Sequence, residues 1–310
     1  MDRRKMSLLP LCVLLAMALA GCWAGDSGLG GYLTGESYPD AERYQSGGFS
    51  YDPSQIERVE LYWRAGEVEL VESEEETLSV QESGEALTGD SAMRWLLEDG
   101  VLRLRFCASG ARIRVNDADK RLRLELPKGI DLSLHTSSAA VRAETLEQDE
   151  ILIATLYGGM ELGAVTAEGS VDLGSGSGAI QAESVTAEDI RCASASGSVQ
   201  MGTSAAGTLA VETASGAVRL GDVSGETVDI STGSGSVELT LTEAPTAAIR
   251  TASGTVGLKL APEGALVAFT TGSGRLRTTL PYVQEGDLYA FGDGQDRITV
   301  ETGSGGLRIQ

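Results

Sequence analysis

Few residues in this chain have types and spacing suited to chemistry. Gly174-Ser175-Gly176-Ser177-Gly178 has the small-residue spacing of a nucleophile elbow or a phosphate-cradling loop. A serine nucleophile needs a base within hydrogen-bond reach and a third group that orients the base. The chain holds one histidine, His135. It alternates outward between Leu134 and Thr136, the place of a solvated surface residue. No lysine follows the glycine run as it would in a P-loop. No His/Cys cluster has metal-ligand spacing, and the Gly-Gly-x-Gly-x-Asp unit of calcium-binding β-rolls is missing. Glycan cleavage needs a clustered pair of acids. The outward acids Asp172, Glu212, Asp229 and Glu238 are scattered as on a solvated face. The sequence therefore predicts no catalytic residue, cofactor or metal site.

The N-terminus carries a different chemistry. Arg3, Arg4 and Lys5 form a basic region, and Leu8 to Leu19 is an apolar run too short for a durable span. Leu19-Ala20-Gly21-Cys22 follows, and this run resembles the bacterial lipobox. The resemblance implies that residues 1–21 are a signal peptide and that Cys22 becomes the lipidated N-terminus. Two or more acyl chains there would anchor the protein stably. Residues 22–54, rich in Gly, Ser, Tyr and Asp, read as a flexible tether. The net charge of −21 disfavours nucleic acid and anionic surfaces as partners. The expected location is extracytoplasmic, on a bacterial membrane. Two later cysteines remain. Cys192 falls in an inward column, as a small core residue, while Cys107 follows Phe106 and is expected to face out. Their strands are distant in the sequence, so a disulfide between them is not favoured.

The Gly-Ser runs take their meaning from the elements that place them. A unit reading apolar-x-apolar-x-Thr-x-Ser-Gly-x-apolar-x-apolar recurs every 19 or 20 residues. Its glycine falls at Gly158, Gly178, Gly197, Gly216, Gly235, Gly254, Gly274 and, after a longer step, Gly305. Ala139 occupies the slot of an earlier copy. The hydroxyl three residues before the glycine slot is Thr136, Thr155, Ser175, Ser194, Thr213, Thr232, Thr251, Thr271 or Thr302. A second column reads Ser138, Tyr157, Ser177, Ser196, Ser215, Ser234, Ser253, Ser273 and Ser304. Period-2 alternation makes each apolar run a strand, and so short a repeat implies a solenoid. The outward column of Glu161, Gln181, Gln200, Arg219, Glu238, Gly257, Arg277 and Arg308 contains no large apolar residue, which separates the two faces. Glycine at the corner is expected to supply φ > 0. The two hydroxyl columns are expected to stack on themselves and to pass hydrogen bonds from coil to coil, as core rather than as a ligand-binding row.

The predicted fold is thus all-β: a single-stranded β-helix-like solenoid over 131–310, with an irregular β cap over 55–130. Within the cap, Met93 to Leu97 and Val101 to Phe106 flank an Asp99-Gly100 hairpin turn. The insertion 281–297 holds Tyr282, Tyr289 and Phe291, which either cover the end of the stack or form a binding patch. The run Leu124-Glu125-Leu126-Pro127-Lys128-Gly129, the Ser-Gly-x-Val units and the ending Thr302-Gly303-Ser304-Gly305-Gly306-Leu307-Arg308-Ile309 together resemble the bacterial β-strand-repeat "putative adhesin" family of unknown function. They are similar also to head-domain adhesins of the GIN type. The resemblance covers about residues 55–310 and implies a β-helix-like domain on envelope proteins, often lipoproteins. It brings no catalytic residues.

The function this predicts is a non-catalytic, membrane-anchored lipoprotein whose solenoid serves adhesion, ligand binding or envelope sensing. Its partners would be the membrane through the lipid anchor and an envelope protein or glycan. Two alternatives are a solenoid that self-assembles end to end through its terminal strand at Ile309, and a glycan-active enzyme.

Overall fold

Alternating apolar residues build strands throughout the chain. The computed structural model describes residues 37–73, 77–84, 87, 89–111, 119–244 and 246–310. Their regular structure is β-strand apart from three 3-10 turns, at Ala41–Arg43, Pro53–Gln55 and Gly89–Ser91. They form a β-solenoid that falls into two compact units, 37–191 and 192–310. The boundary lies within the strand Ile180–Ser194.

In the first unit, Arg58–Trp63 lies between Val101–Arg105 and Asp131–Thr136, parallel to both. Glu67–Glu72 lies likewise between Arg121–Leu126 and Ala140–Gln148. The first coil in the sequence is therefore interior to the stack. Beyond it, Ile151–Thr155 and Ser170–Ser175 continue one face. Met160–Ala167 and then Ile180 onward continue the next. The stack keeps side chains in register, so Val59, Leu61 and Trp63 sit over Leu132, Leu134 and Thr136. All six are buried. Each aliphatic member contributes about 1.5–3 kcal/mol by leaving water.

The open edge is closed by antiparallel strands. Leu78–Ser83 pairs with Arg121–Leu126, and Arg94–Glu98 with Val101–Arg105. The second pair turns at Asp99 (φ 49°) and Gly100 (φ 76°), the left-handed conformation that an Asp-Gly hairpin turn requires. Part of the segment read as a tether belongs to this cap. Gln45–Ser46 pairs with Arg94–Glu98, and Phe49–Tyr51 pairs with Leu78–Ser83. Phe49 packs on Trp95 with ring centroids 4.2 Å apart, which gives these residues a reason to order. The outermost strands are only two and three residues long, which limits their use as templates for further pairing.

In the second unit, Val199–Thr213 stacks on Val218–Thr232 from end to end. The register skips at Gly202/Gly221 and again at Gly207/Glu226, dividing each coil into three segments. The middle segment buries Ser204, Val223 and Leu241, a third inward row that the two-strand reading of the repeat missed. The coils do not follow sequence order at the C-terminus. Arg297–Thr302 lies between Thr246–Thr251 and Gly264–Thr271. Leu307–Ile309 lies between Val256–Lys259 and Leu276–Thr278. The insertion is long enough to carry the chain back inside the stack. Ile309 is therefore buried, and the strand that motivated end-to-end assembly is interior, with Leu276–Thr278 outside it. The insertion itself forms a hairpin. Leu288–Gly292 pairs antiparallel with Gly264–Thr271, and Val283–Glu285 pairs with Leu288–Gly292.

Candidate functional site

The hydroxyl and glycine motifs that first suggest chemistry are used up in the coil corners. Thr136, Thr155, Ser175, Ser194, Thr213, Thr232, Thr251 and Thr302 are buried, and Thr271 is half-buried. Most bond to the backbone three residues on. Thr155, Thr232, Thr251 and Thr271 accept from the N–H of Gly158, Gly235, Gly254 and Gly274 at 2.8–2.9 Å. Ser175 and Thr213 donate to the carbonyls of Gly178 and Gly216. Along the column, hydroxyl bonds to hydroxyl from Thr213 to Thr232 at 3.0 Å and from Thr302 to Thr271 at 2.9 Å. The expected coil-to-coil relay is thus mostly a set of local corner clamps. The second column points the other way: Ser138, Ser177, Ser196, Ser215, Ser234, Ser253, Ser273 and Ser304 are exposed, and Tyr157 is 67% exposed in their slot.

The glycine slot is also explained differently than expected. Its glycines are absent from the residues with positive φ. They are required because the coils touch there. A Cβ on Gly178, Gly235 or Gly254 would lie 1.8 Å from the carbonyl oxygen of Gly158, Gly216 or Gly235. Ala139 is tolerated where the preceding coil presents Gly66 in the left-handed region, at φ 86°. Ser175 in the Gly-Ser run is fully buried with its hydroxyl already bonded, so it is no nucleophile.

His135 is not the solvated residue that its outward register predicts. Tyr62 stacks on its ring at 5.2 Å and 17°, and Ser133 Oγ lies 3.2 Å from its Nε2. The Arg105 guanidinium caps the other face of this cluster, 3.9 Å from the Tyr62 ring and within 6.0 Å of the Tyr38 and Tyr44 rings. Burial, and secondarily Arg105, pushes the His135 pKa down to about 4. Burial pushes the Tyr38 hydroxyl up to about 12. Tyr38 Oη donates to the Cys107 carbonyl at 3.0 Å. Cys107 is buried, contrary to expectation, with Tyr38 bonded to it and to Ser109 two residues on. Cys192 is a core residue with its thiol pushed up to about 12 by burial, and no disulfide joins the two.

The charged groups lie on the outward faces. In the first unit Arg123, Glu69, Arg142 and Glu161 are register neighbours on successive coils, and their signs alternate. Arg123 pairs with Glu69 at 3.0 Å, and Arg142 with Glu161 at 2.9 Å and with Glu67 at 2.6 Å. These residues and Glu144 line an open groove of about 680 Å³. Of the acids singled out from the sequence, Asp229 is held by Arg250 at 2.8 Å and Glu238 by Arg219 at 3.6 Å. Burial raises the pKa of Asp172, with Arg191 opposing. Burial and then Asp229 raise that of Glu212. In the second unit, Tyr282 packs against Tyr289 at 5.6 Å and Phe291 at 5.7 Å. Phe291 is buried as an anchor, while Tyr282, Val283 and Leu288 remain 40–73% exposed. Among the described residues, no group of three or more His, Cys, Asp or Glu could hold a metal ion. Cys22 lies outside the described residues.

Comparison with known proteins matches residues 56–290 to the family model described as Toastrack DUF4097. No curated protein matches the chain. Solved structures that the chain matches include a "putative adhesin" from Bacteroides fragilis, 13% identical with a TM-score of 0.41, covering 85% of this chain and 96% of that one. A "putative lipid binding protein" from Parabacteroides distasonis is 15% identical with a TM-score of 0.42, at the same coverages.

Proposed function

The chain belongs to the Toastrack DUF4097 family, and from that premise we propose that it is a non-catalytic binding module, lipid-anchored through Cys22 and displayed on the outer side of a bacterial membrane. The observation that carries the binding reading is the outward groove of the first unit. There Glu67, Glu69, Arg123, Arg142 and Glu161 stand on rigid, register-locked strands. A rigid strand face positions polar groups with little loss of freedom on binding, which favours recognition of a polar partner such as an envelope glycan or protein. Arg142 is held from both sides by carboxylates, so a ligand must compete with an ion pair that is worth little at a surface. Anchoring rests on the sequence Leu19-Ala20-Gly21-Cys22 and its basic, apolar approach.

Two experiments test this reading. Globomycin should accumulate the uncleaved precursor, and labelled palmitate should enter the wild type and not Cys22→Ala; unchanged processing and no label would remove the anchor. A screen of envelope glycans and envelope-protein fractions should give a binder that is lost on Arg142→Ala. Turnover of a glycan by the purified protein would instead establish an enzyme.

A further inference from the structure

In the second unit the outward column sets two arginines side by side. Its register runs Arg219, Glu238, Gly257, Arg308, Arg277 across successive strands. Arg308 thus has a glycine on one side and a second arginine on the other, about 4.8 Å away. Like charges directly opposite on neighbouring strands destabilise a sheet. Arg275 immediately precedes the edge strand Leu276–Thr278, its carbonyl accepting from the Leu307 N–H, and all three arginines line one groove of about 340 Å³ together with Glu238. Among the described residues no carboxylate pairs with Arg275, Arg277 or Arg308. This concentration of unpaired positive charge occurs in a chain of net charge −21.

Gly257 is the second, independent sign. A Cβ on the corner glycines would collide with backbone at 1.7–1.9 Å, but one on Gly257 would meet only the Glu238 Cγ at 3.5 Å and the Val237 carbonyl at 3.9 Å. Its φ is not positive either. Neither packing nor backbone geometry calls for glycine here, and glycine weakens a strand interior. What it does is keep the groove open beside Arg308, where a side chain would otherwise stand.

We propose that Arg275, Arg277 and Arg308 form an anion site on this face that takes a phosphate group. Three guanidinium forks converging on one groove suit a tetrahedral dianion better than a carboxylate, whose two oxygens one fork already satisfies. The anion would also relieve the repulsion between Arg308 and Arg277. The phosphate could belong to a soluble phosphate ester or to a phospholipid headgroup, and the inference does not depend on the anchoring reading.

The test uses the full chain in detergent with two probes. Inorganic phosphate is titrated by calorimetry, and vesicles of phosphatidylglycerol or phosphatidylcholine are used in co-sedimentation. Two variants are compared with wild type, Gly257→Glu and the double change Arg277→Gln/Arg308→Gln. Gly257→Glu supplies the missing carboxylate to Arg308 and fills the groove. The double change removes the Arg308–Arg277 repulsion and should fold at least as well as wild type; Gly257→Glu gains Arg308 as a partner but stands opposite Glu238, so its urea midpoint is measured before titration. Phosphate affinity should fall about tenfold or more in each, while Arg219→Gln, in the same column and with the same one-unit charge change as Gly257→Glu, should leave it unchanged. A phosphatidylglycerol preference that Gly257→Glu abolishes assigns the site to a headgroup. Phosphate binding without that preference assigns it to a soluble ester. Absence of binding to both probes, or full affinity in Gly257→Glu, overturns the proposal.

Discussion

Gly305 rests directly on Gly254: a Cβ on Gly305 would lie 1.7 Å from the Gly254 carbonyl oxygen. Gly274 rests on Gly305 in the same way, at 1.8 Å. The corner glycines of the second unit, from Gly197 to Gly274, therefore form a column of backbone contacts, and the order 254, 305, 274 records how the chain doubles back.

Because these contacts are with backbone, they cannot be relieved by a rotamer change. Gly235→Ala should lower stability by about 3 kcal/mol, seen as a lower urea midpoint with an unchanged slope. Gly257→Ala places the same methyl where nothing opposes it and should raise stability by about 0.5 kcal/mol. Equal effects from the two changes would show that the column is not close-packed.

His135 predicts a pH dependence. Its pKa is 6.5 when unperturbed and about 4 in the fold. The unfolded chain therefore binds the proton first. The contribution of neutral His135 is fully present above pH 6.5 and is lost as pH falls towards 4, by at most about 3 kcal/mol. His135→Gln should flatten the stability curve across that window. A curve identical to wild type would mean that Tyr62 and Arg105 do not cover the ring in solution.

The repeat made inside and outside legible for most of 131–310, because stacked coils copy one alternation of faces. Val211, Ile230, Cys192 and the outward Arg219 and Glu238 all lie where the period puts them. What the period could not convey is spatial order. Nothing in the units around Gly274 and Gly305 says which coil is outermost, since both copies carry the same motif. The covering of His135 was equally hidden, because it depends on Tyr62, stacked on it from a coil far away in the sequence, and on Arg105 beyond that ring.

The N-terminal cap depends on one buried charge pair. Lys120 Nζ lies 2.5 Å from Glu82 Oε1, donates to the Ser91 carbonyl at 2.7 Å and to the Phe106 carbonyl, and sits 4.9 Å from the Trp63 ring centroid. Both side chains are 5% exposed. Lys120→Met should cost about 3–5 kcal/mol, because Glu82 is left buried without its counter-charge. Adding Glu82→Gln should recover part of that loss; a double variant as unstable as the sum of the single changes would show that the pair is not coupled.

The doubled-back C-terminus gives the sharpest test of the topology. Leu307–Ile309 is the strand partner that Leu276–Thr278 has in the stack, and it also covers the outer edge of Val256–Lys259. If the last coil were outermost, deleting residues 303–310 would remove one edge and leave the strands beneath protected. In the observed order the same deletion takes out an interior layer. Leu258 and Leu276 lose the apolar side chains stacked on them, and the amides of 276–278 lose their ladder. Native-state hydrogen exchange should then show 256–259 and 276–278 becoming fast together, with 199–232 keeping its protection because its pairing is unchanged. Retained protection at 276–278 would place the final coil at the end of the stack after all.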